Sequence, residues 1–271
     1  MLKKTIGIIG YGVVGKAAVN TFSKAFHIIK YDKYQDLDQF EDLSGSDFIF
    51  IMVPTPFDCL EGEVDDSAVT ESLEKLQSLK VKVPVIIKST VAPGSCRKYK
   101  KKYELNIVFN PEFLRESTTP NEDFENQDTI VIGTDSVDTF QSVKEMYLDV
   151  AVKNAQYFHT SLKESEMIKC AQNTMLASRV ALANMIFEAC TSNSVDYSVV
   201  KSIAFDRFDI IGPHMNQVPG PDGNLGFGGK CLPKDIRAFS TIFDSDLLSS
   251  IINYNDGLRN DLNKFLKNYQ K

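Results

Sequence analysis

A glycine-rich segment near the end of the chain, GFGGKCLPKD at positions 226–235, has the residue types best suited to nucleophilic chemistry. Its glycines let the backbone approach a ligand closely, and Cys231 stands just before a helix predicted to start at Pro233. The N-terminus of that helix and the two flanking lysines would stabilise a thiolate, which is how a nucleophilic cysteine is activated. A single cysteine is also commonly a small buried hydrophobe, so a structural role for Cys231 stays open from these residues alone.

A second group of polar residues recurs at helical spacing in the middle of the chain. Glu166, Lys169 and Asn173 lie at i, i+3 and i+7, so they share one face of a predicted helix. Two interpretations are open. The stripe is either a solvated polar face, or it places a lysine and an amide to bind a developing oxyanion.

The third group is a dinucleotide-binding pattern, G-x-G-x-x-G, directly after the first apolar run; its members are Gly10, Tyr11, Gly12, Val13, Val14 and Gly15. In such a motif the glycines permit, in order, a tight turn, the approach of a pyrophosphate to the backbone, and close packing of the next helix. That helix presents its unpaired N–H groups to the phosphates. Asp32 ends the next apolar run about 20 residues further on. Its carboxylate suits ribose hydroxyls and repels a 2′-phosphate, which favours NAD over NADP, although the adjacent Lys33 weakens that preference slightly.

Two further loops follow apolar runs, VPTP with Thr55 and STVAPG with Thr90. The carboxyl ends of parallel strands meet at one edge of a sheet, where ligands bind. We therefore interpret the two threonines either as ligand contacts or as simple turn formers.

The elements that must position these groups begin with short runs that are apolar on consecutive residues, a pattern typical of strands buried on both faces of a parallel sheet. The predicted strands are 5–9, 27–31, 48–53, 83–88, 107–109 and 129–132. The predicted helices include 16–22, 67–79, 161–190, 196–205 and 247–269, with SLKE at 161–164 as a capping box.

This order of elements predicts an α/β fold, a Rossmann-like mostly parallel sheet with helices on both faces, followed by an all-helical domain. The predicted domains are residues 1–160, which bind the dinucleotide, and residues 161–271, which carry the cysteine loop. A Gly- and Pro-rich loop before Cys231 is long enough to be functional rather than a simple connection.

The composition narrows the partners and the compartment. With 30 basic and 36 acidic residues the net charge is −6, which argues against nucleic-acid binding. The basic cluster KYKKK at 98–102 is interpreted as the solvated end of a helix. Five scattered cysteines without metal-site spacing indicate a reducing compartment and no metal. No apolar run approaches the ~18 residues of a membrane span, so we expect a cytoplasmic protein.

Six segments, GYGVVG, VPTP, STVAPGS, NPEFLRE, KCAQN and GFGGKCLPKD, follow one another in the order found in the UDP-glucose/GDP-mannose dehydrogenase family. The chain resembles that family over essentially its whole length, and NPEFLRE together with GFGGKCLPKD is highly specific. The resemblance implies an enzyme that oxidises the primary alcohol of a nucleotide sugar, UDP-glucose foremost, to a carboxylate with two NAD⁺ per turnover. It also implies a homodimer formed through the helices after residue 160.

The resemblance implies a role for each matching residue. Cys231 would attack the aldehyde intermediate, giving a thiohemiacetal and then a thioester. The other implied catalytic residues are Lys169 and Asn173 for the oxyanion, Asp235 for proton transfer, Glu112 as acid/base in thioester hydrolysis, and Thr90 to hold the hydrolytic water. Besides the glycine turn, the implied cofactor contacts are Asp32, Thr55, Thr90, Glu116 and Lys234. The implied substrate contacts are Glu112, Phe113, Leu114, Arg115, Glu116, Lys169, Asn173 and Gly228.

Two features depart from the family pattern. Family members commonly continue into a second nucleotide-binding domain, whereas this chain stops after the linking helix, and Ile210 stands where the family has an arginine in a D-x-R-I-G segment. Three accounts are open: a separate chain supplies the missing domain, a minimal enzyme binds the nucleotide more weakly, or the substrate differs.

Two other functions also stay open. A two-electron hydroxyacid dehydrogenase pairs a similar Rossmann domain with helices, but it leaves the cysteine loop unexplained. An NAD-binding module without turnover predicts dinucleotide binding and no NADH production from any sugar nucleotide.

Overall fold

The apolar runs of the first half of the chain form strands in the computed structural model, which describes residues 3–115, 119–209 and 217–259. The strands are β1 (Thr5–Ile9), β2 (His27–Tyr31), β3 (Phe48–Ile51), β4 (Phe57–Asp58), β5 (Glu63–Val64), β6 (Pro84–Ile87), β7 (Asn106–Phe109), β8 (Thr129–Gly133) and β9 (Gln156–Thr160). Seven of them make one sheet in the order β2-β1-β3-β6-β7-β8-β9, and β4 and β5 pair as a separate hairpin. The large sheet is parallel except where β8 runs antiparallel to β7.

The sheet is covered by apolar side chains on both faces. Along β3, Ile49 and Ile51 pack into one core cluster, whereas Phe48 and Phe50 pack into another. Because successive strand residues point to opposite faces, a run of four buried residues requires a core on each side. This is the reason that the strands are apolar on consecutive positions, and the predicted fold class is confirmed.

The helices described by the structure follow the predicted pattern. They are α1 (Val13–Phe22), α2 (Ser67–Ser78), α3 (Ser95–Lys102), α4 (Pro120–Glu125), α5 (Val137–Leu148), α6 (Leu162–Ser192), α7 (Tyr197–Ala204), α8 (Leu232–Ser240) and α9 (Asp246–Arg259), with a 3-10 helix at Phe40–Gly45. Helices α2 and α3 contribute to one core cluster, and α1, α4 and α5 contribute to the other. The sheet is therefore doubly wound.

The capping box at the start of α6 is present. The hydroxyl of Ser161 accepts the backbone N–H of Glu164 at 3.3 Å, and the Glu164 carboxylate accepts the Ser161 N–H at 2.8 Å. Lys100, Lys101 and Lys102 form the last turn of α3, and the first and third of them pair with exposed carboxylates. The interpretation of KYKKK as the solvated end of a helix is confirmed.

Several predicted boundaries need correction. The predicted strands 48–53 and 83–88 end at Ile51 and Ile87, because the Val53 backbone is bonded by the Ser89 side chain instead of a neighbouring strand. The helix predicted at 16–22 starts earlier, at Val13. The last predicted helix, 247–269, is seen as α9, and its residues after Arg259 lie outside the described part of the chain. Strand β9 and the β4–β5 hairpin were not predicted.

The chain divides into two compact units, Met1–Lys169 and Cys170–Lys271. The first unit contains the sheet with α1–α5 and the start of α6, and the second contains the rest of α6 and α7–α9. The core of the second unit is small, centred on Ala177, Ala181, Phe227, Ile236 and Leu248. The division into a dinucleotide domain 1–160 and a catalytic-loop domain 161–271 remains a prediction about roles.

A membrane-crossing helix would need a long apolar stretch, and none of the helices within the described residues has one. The cytoplasmic location stays a prediction.

An aromatic cluster holds α1 on the sheet. The Phe22 ring lies 5.1 Å from Phe50, 5.5 Å from Phe124, 5.8 Å from Tyr147 and 6.4 Å from Phe26, measured between ring centroids. Most of these pairs have the edge-to-face geometry that aromatic rings prefer.

We expect Phe22→Ala to lower the free energy of unfolding by about 3–5 kcal/mol, because it leaves a large cavity in this cluster. Tyr34→Ala is the matched control, since the Tyr34 side chain is 88% exposed, and it should change stability by less than about 0.5 kcal/mol. Urea unfolding followed by circular dichroism measures both. Equal stability of the two variants would contradict this packing.

Candidate active site

The turn between β1 and α1 has the geometry of a dinucleotide-binding turn. Gly10 has a φ of +94°, which glycine adopts readily, and a Cβ there would overlap the carbonyl oxygen of Met52. A Cβ at Gly15 would overlap the carbonyl oxygen of Gly10, so this glycine lets α1 approach the turn. A Cβ at Gly12 would meet no atom within 4 Å. Gly12 therefore borders open space where the strand order reverses, the place where doubly wound sheets bind ligands.

The start of α1 is suited to an anion. Val13 and Val14 form its first turn, and its N-cap makes no side-chain hydrogen bond, so the N–H groups of that turn point toward the space beside Gly12. The Tyr11 ring next to this turn lies 5.7 Å from the ammonium groups of both Lys16 and Lys30. These residues fit a pyrophosphate.

Asp32, immediately after β2, is held beside the same turn. Its carboxylate oxygens accept the backbone N–H of Tyr11 at 2.8 Å and that of Tyr34 at 2.9 Å. The neighbouring Lys33 is engaged elsewhere, because its ammonium donates to Glu71 at 2.8 Å. That bond, with a further one from Lys75, lowers the pKa of Glu71 to about 2. The charge of Lys33 is thus largely compensated, which leaves Asp32 as the charge that a 2′-phosphate would meet.

The structure brings the two threonine loops together. The Thr55 hydroxyl donates to the carbonyl oxygen of Thr90 at 2.6 Å. One residue earlier in each loop's approach, the Ser89 hydroxyl accepts the Val53 N–H at 2.9 Å and donates to the Val53 carbonyl at 2.7 Å. The loops after β3 and β6 are thereby tied along the carboxyl edge of the sheet.

Glu112 lies in the NPEFLRE segment after β7, and both its oxygens are engaged. Oε1 accepts the N–H of Phe113 at 2.9 Å and of Leu114 at 3.1 Å. Oε2 lies 3.0 Å from the Lys88 ammonium as an ion pair. Lys169 approaches the same segment, with its ammonium 5.5 Å from the centre of the Phe113 ring. Within the first unit, the structure therefore groups Glu112, Phe113 and Lys169.

Sequence reasoning missed Lys88 and Asn110. The side chain of Lys88 is fully buried, and its ammonium donates to Asn110 Oδ1 at 2.9 Å. Asn110 also accepts the Tyr147 hydroxyl at 2.5 Å and donates to the Val131 carbonyl at 2.7 Å. The available signal was a lysine at the end of an otherwise apolar run, because a charged residue there is almost never buried without a partner.

The polar stripe of α6 is buried, so its interpretation as a solvated face is wrong. Lys169 is 8% exposed, Asn173 5% and Glu166 0%. The Glu166 carboxylate accepts the backbone N–H groups of Gly94 at 2.5 Å and Cys96 at 2.7 Å, so it caps the N-terminus of α3. Burial raises the pKa of Glu166, and these two donors oppose the rise. Glu166 therefore anchors the STVAPG loop.

Arg115, a predicted substrate contact, is held by Asp123. The Asp123 carboxylate accepts the backbone N–H and two guanidinium N–H groups of Arg115 at 2.7–2.9 Å. These bonds lower the pKa of Asp123 to about 2. Two other positions singled out from the sequence, Glu116 and Ile210, lie outside the residues that the structure describes.

The second unit holds the cysteine loop. Cys231 is the N-cap residue of α8 and is exposed. One turn later, the buried Asp235 accepts a hydrogen bond from the Asn173 side-chain amide at Oδ2, and its Oδ1 lies 3.2 Å from the Lys234 ammonium. Within this unit, the structure therefore brings Asn173, Lys234 and Asp235 together at the start of the helix that Cys231 caps.

Two buried asparagines hold the glycine-rich loop. Asn184 of α6 accepts the N–H of Gly226 at 2.9 Å. Asn255 of α9 accepts the N–H of Phe227 at 2.7 Å and donates to its carbonyl at 3.2 Å. The loop before Cys231 is thus fixed by side chains from two helices, and neither asparagine was predicted.

Gly228, a predicted substrate contact, packs against Arg259. A Cβ at Gly228 would overlap the guanidinium group, which donates to the Leu225 carbonyl at 3.1 Å and pairs with Asp222. Close approach of backbone and guanidinium therefore requires glycine at this position.

The cysteines differ in surroundings. Cys96, Cys170 and Cys190 are buried, whereas Cys59 and Cys231 are exposed. Burial raises the pKa of the Cys96 thiol. Searching the described residues for three or more His, Cys, Asp or Glu side chains placed to hold a metal ion found no such group.

A doubly wound sheet with an open glycine turn at the reversal of strand order, and an acidic residue beside it, defines a dinucleotide-binding protein of the Rossmann class. Family models agree with this class and refine it. The NAD-binding domain of the UDP-glucose/GDP-mannose dehydrogenase family matches residues 30–151, and the central domain of the same family matches residues 163–256. The chain belongs to the UDP-glucose/GDP-mannose dehydrogenase family, and its cofactor is NAD.

Individual relatives show the same likeness. A UDP-glucose 6-dehydrogenase from Rickettsia bellii is 34% identical over 228 residues, which cover 79% of this chain and 50% of that protein. The chain thus spans about half the length of the curated relatives it matches. The structure of a UDP-glucose dehydrogenase from the archaeon Pyrobaculum islandicum matches with a TM-score of 0.79 at 23% identity, over 94% of this chain and 68% of that one.

A 3-hydroxyisobutyrate dehydrogenase from Mycobacterium tuberculosis also has this fold, with a TM-score of 0.69 at 15% identity. That match covers 94% of this chain and 93% of the other.

The three glycines of the turn allow a matched test. Gly15→Ala should destabilise the fold by several kcal/mol, as overpacking does, because its Cβ would overlap backbone. Gly12→Ala should leave the protein folded, with a loss of at most about 1 kcal/mol at this N-cap, but weaken NADH binding at least tenfold. Thermal unfolding and NADH fluorescence titration separate the two effects. Unchanged NADH affinity in Gly12→Ala would contradict our placement of the pyrophosphate.

Proposed function

We propose that the chain catalyses the four-electron oxidation of the primary alcohol of a nucleotide sugar, UDP-glucose foremost, to the uronic acid. Family membership supports the reaction class. The observation that carries the proposal is the placement of an exposed Cys231 at the N-terminus of α8, one turn from the buried Asp235–Asn173 pair. A helix N-terminus stabilises a thiolate, and exposure lets it reach a substrate.

The cofactor fits the residues of the first unit. Gly12 leaves room for the pyrophosphate, the first turn of α1 supplies N–H groups, and Asp32 meets the ribose hydroxyls. We propose further contacts from Thr55, Thr90, Glu116 and Lys234. When bound, NAD⁺ accepts one hydride in each of the two oxidation steps.

The chain's own residues then perform the covalent chemistry. The Cys231 thiolate adds to the aldehyde carbon, and Lys169 and Asn173 donate to the oxyanion that forms. Asp235 moves a proton at the same centre. After the second oxidation the product is a thioester of Cys231. Glu112 takes the proton of a water held by Thr90, and that water hydrolyses the thioester.

Substrate binding is assigned to Phe113, Leu114, Arg115, Glu116 and Gly228, together with Glu112, Lys169 and Asn173. Arg115 is already fixed by Asp123 before any ligand binds, so its order requires no further loss of side-chain freedom on binding.

A second candidate is a two-electron dehydrogenase of hydroxyacids. Its support is the fold likeness to 3-hydroxyisobutyrate dehydrogenase, which extends over nearly the whole of both chains. A two-electron reaction has no use for a nucleophilic thiol, so the two candidates differ in stoichiometry and in their dependence on Cys231.

Turnover of the full chain with NAD⁺ and a panel of UDP- and GDP-sugars tests the proposal. We expect two NADH per sugar consumed. Cys231→Ala should abolish the second NADH, because the aldehyde is no longer captured as a thiohemiacetal. Cys59→Ala is the matched control, since Cys59 is also exposed, and it should behave as wild type. One NADH per substrate, independent of Cys231, would favour the second candidate.

The chain is further proposed to form a homodimer through α6. Met175, Leu182 and Met185 project from this helix with 65%, 55% and 49% exposure. Met175 and Leu182 are seven residues apart and Met185 follows at three, so the three side chains share a stripe. An exposed apolar stripe on a long helix is suited to packing against a second helix.

Leu182→Glu should convert such a dimer to monomer, because two desolvated carboxylates would face each other across the stripe. Ser192→Glu adds the same charge at an exposed polar position near the end of α6 and should leave the dimer intact. Sedimentation velocity of the three proteins gives the result. A wild-type monomer would refute the dimer without affecting the proposed chemistry.

A further inference from the structure

Beneath the proposed catalytic carboxylate lies a buried network that the reaction scheme does not use. The ammonium of Lys88, whose side chain is fully buried, lies 3.0 Å from Glu112 Oε2. It donates to Asn110 Oδ1 at 2.9 Å and lies 5.2 Å from the centre of the Phe124 ring. A buried ammonium with a carboxylate, an amide oxygen and an aromatic face around it is built into its position.

Asn110 is held so that its oxygen must face Lys88. Its amide nitrogen donates to the Val131 carbonyl at 2.7 Å, which leaves Oδ1 on the side of the ammonium. The Tyr147 hydroxyl donates to the same Oδ1 at 2.5 Å. Burial raises the pKa of Tyr147, so the phenol keeps its proton and remains a donor. The amide therefore cannot turn away from Lys88 without losing two buried hydrogen bonds.

The two oxygens of Glu112 are in different situations. Oε1 accepts two backbone N–H groups, from Phe113 and Leu114. Oε2 has the ion pair with Lys88, and among the described residues it accepts no aligned hydrogen bond. Oε2 consequently keeps a lone pair with which it can take a proton.

We propose that Lys88 is a positioning residue for Glu112, which it keeps ionised and oriented with Oε2 ready to accept the proton of the hydrolytic water. The inference rests on the proposed role of Glu112 as base. In that step the water oxygen bonds to the thioester carbon, the C–S bond breaks with its electron pair returning to sulfur, and the water proton passes to Oε2. Lys88 gives up no proton and touches no substrate.

The charges around Lys88 are consistent with this role. Burial lowers the pKa of Lys88, the Glu112 carboxylate opposes that change, and the charge of Lys169 adds to it. Glu112 is thus the anion that compensates two lysines. Without Lys88, a carboxylate that is 8% exposed would keep one lysine and two backbone N–H groups, and its neutral form would gain relative to its ionised form.

The test follows thioester hydrolysis as a function of pH, with the acyl-Cys231 species quantified by intact-protein mass spectrometry. In Lys88→Met the acid limb of the hydrolysis rate should move up by about 1–3 pH units, and the rate at neutral pH should fall about 10- to 100-fold as the base is lost. Formation of the first NADH should stay near the wild-type rate. Lys88→Arg keeps the charge and should restore the acid limb.

Lys100→Met is the matched control, because Lys100 is paired on the surface with Asp135, and its pH profile should coincide with that of wild type. A folded Lys88→Met protein with a wild-type acid limb would overturn the proposal. So would a wild-type acid limb that persists in Glu112→Gln.

A stability cycle gives a second readout that needs no turnover. Lys88→Met, or Lys88→Gln where the methionine variant does not fold, should lose more stability at pH 8 than at pH 5, because the unpaired Glu112 must be charged or take up a proton. Adding Glu112→Gln should remove that pH dependence. Equal losses at both pH values would overturn the proposal. If the wild-type chain forms no thioester, the proposed function fails, and this cycle still decides whether Lys88 keeps Glu112 charged.

Discussion

Coverage of the sheet on both faces is the constraint on which the first unit depends. Because strands such as β3 and β6 point side chains alternately into two apolar cores, neither face can hold a charged ligand or a reactive polar group. Polar chemistry is confined to the edge where the strands end. The glycine turn, Asp32, the tied threonine loops and Glu112 all follow the ends of parallel strands for this reason.

The sequence was sufficient to predict the glycine turn and the sheet because each has a strong local cause. A strand buried on both faces requires consecutive apolar residues, and a turn that packs backbone on backbone requires glycine at Gly10 and Gly15. Strand β9 gave no such signal, since it lies at the sheet edge, is largely exposed and carries polar residues. Its existence depends on pairing with β8, which is a tertiary effect.

The residues that hold the site were harder to predict than those expected to act in it. Lys88 reads as the polar end of a strand, and Asn110, Asn184 and Asn255 read as ordinary loop or helix residues. Their roles depend on partners 22 to 42 positions away in sequence, which no local pattern encodes. Glu166 was noticed for its spacing, but its partners on the α3 loop, 70 and 72 positions away, could not be inferred from that spacing.

Each unit compensates its own buried carboxylate. Glu112 has Lys88 and two backbone N–H groups, and Asp235 has the Asn173 amide and Lys234. A buried charge that relied on a ligand for compensation would destabilise the unliganded protein by several kcal/mol. Internal compensation lets both acids stay charged before substrate arrives. In each pair, one carboxylate oxygen is engaged by aligned hydrogen bonds while the other has an ion pair alone. An oxygen held this way stays in place yet can still accept a proton, which is what an acid/base residue must do.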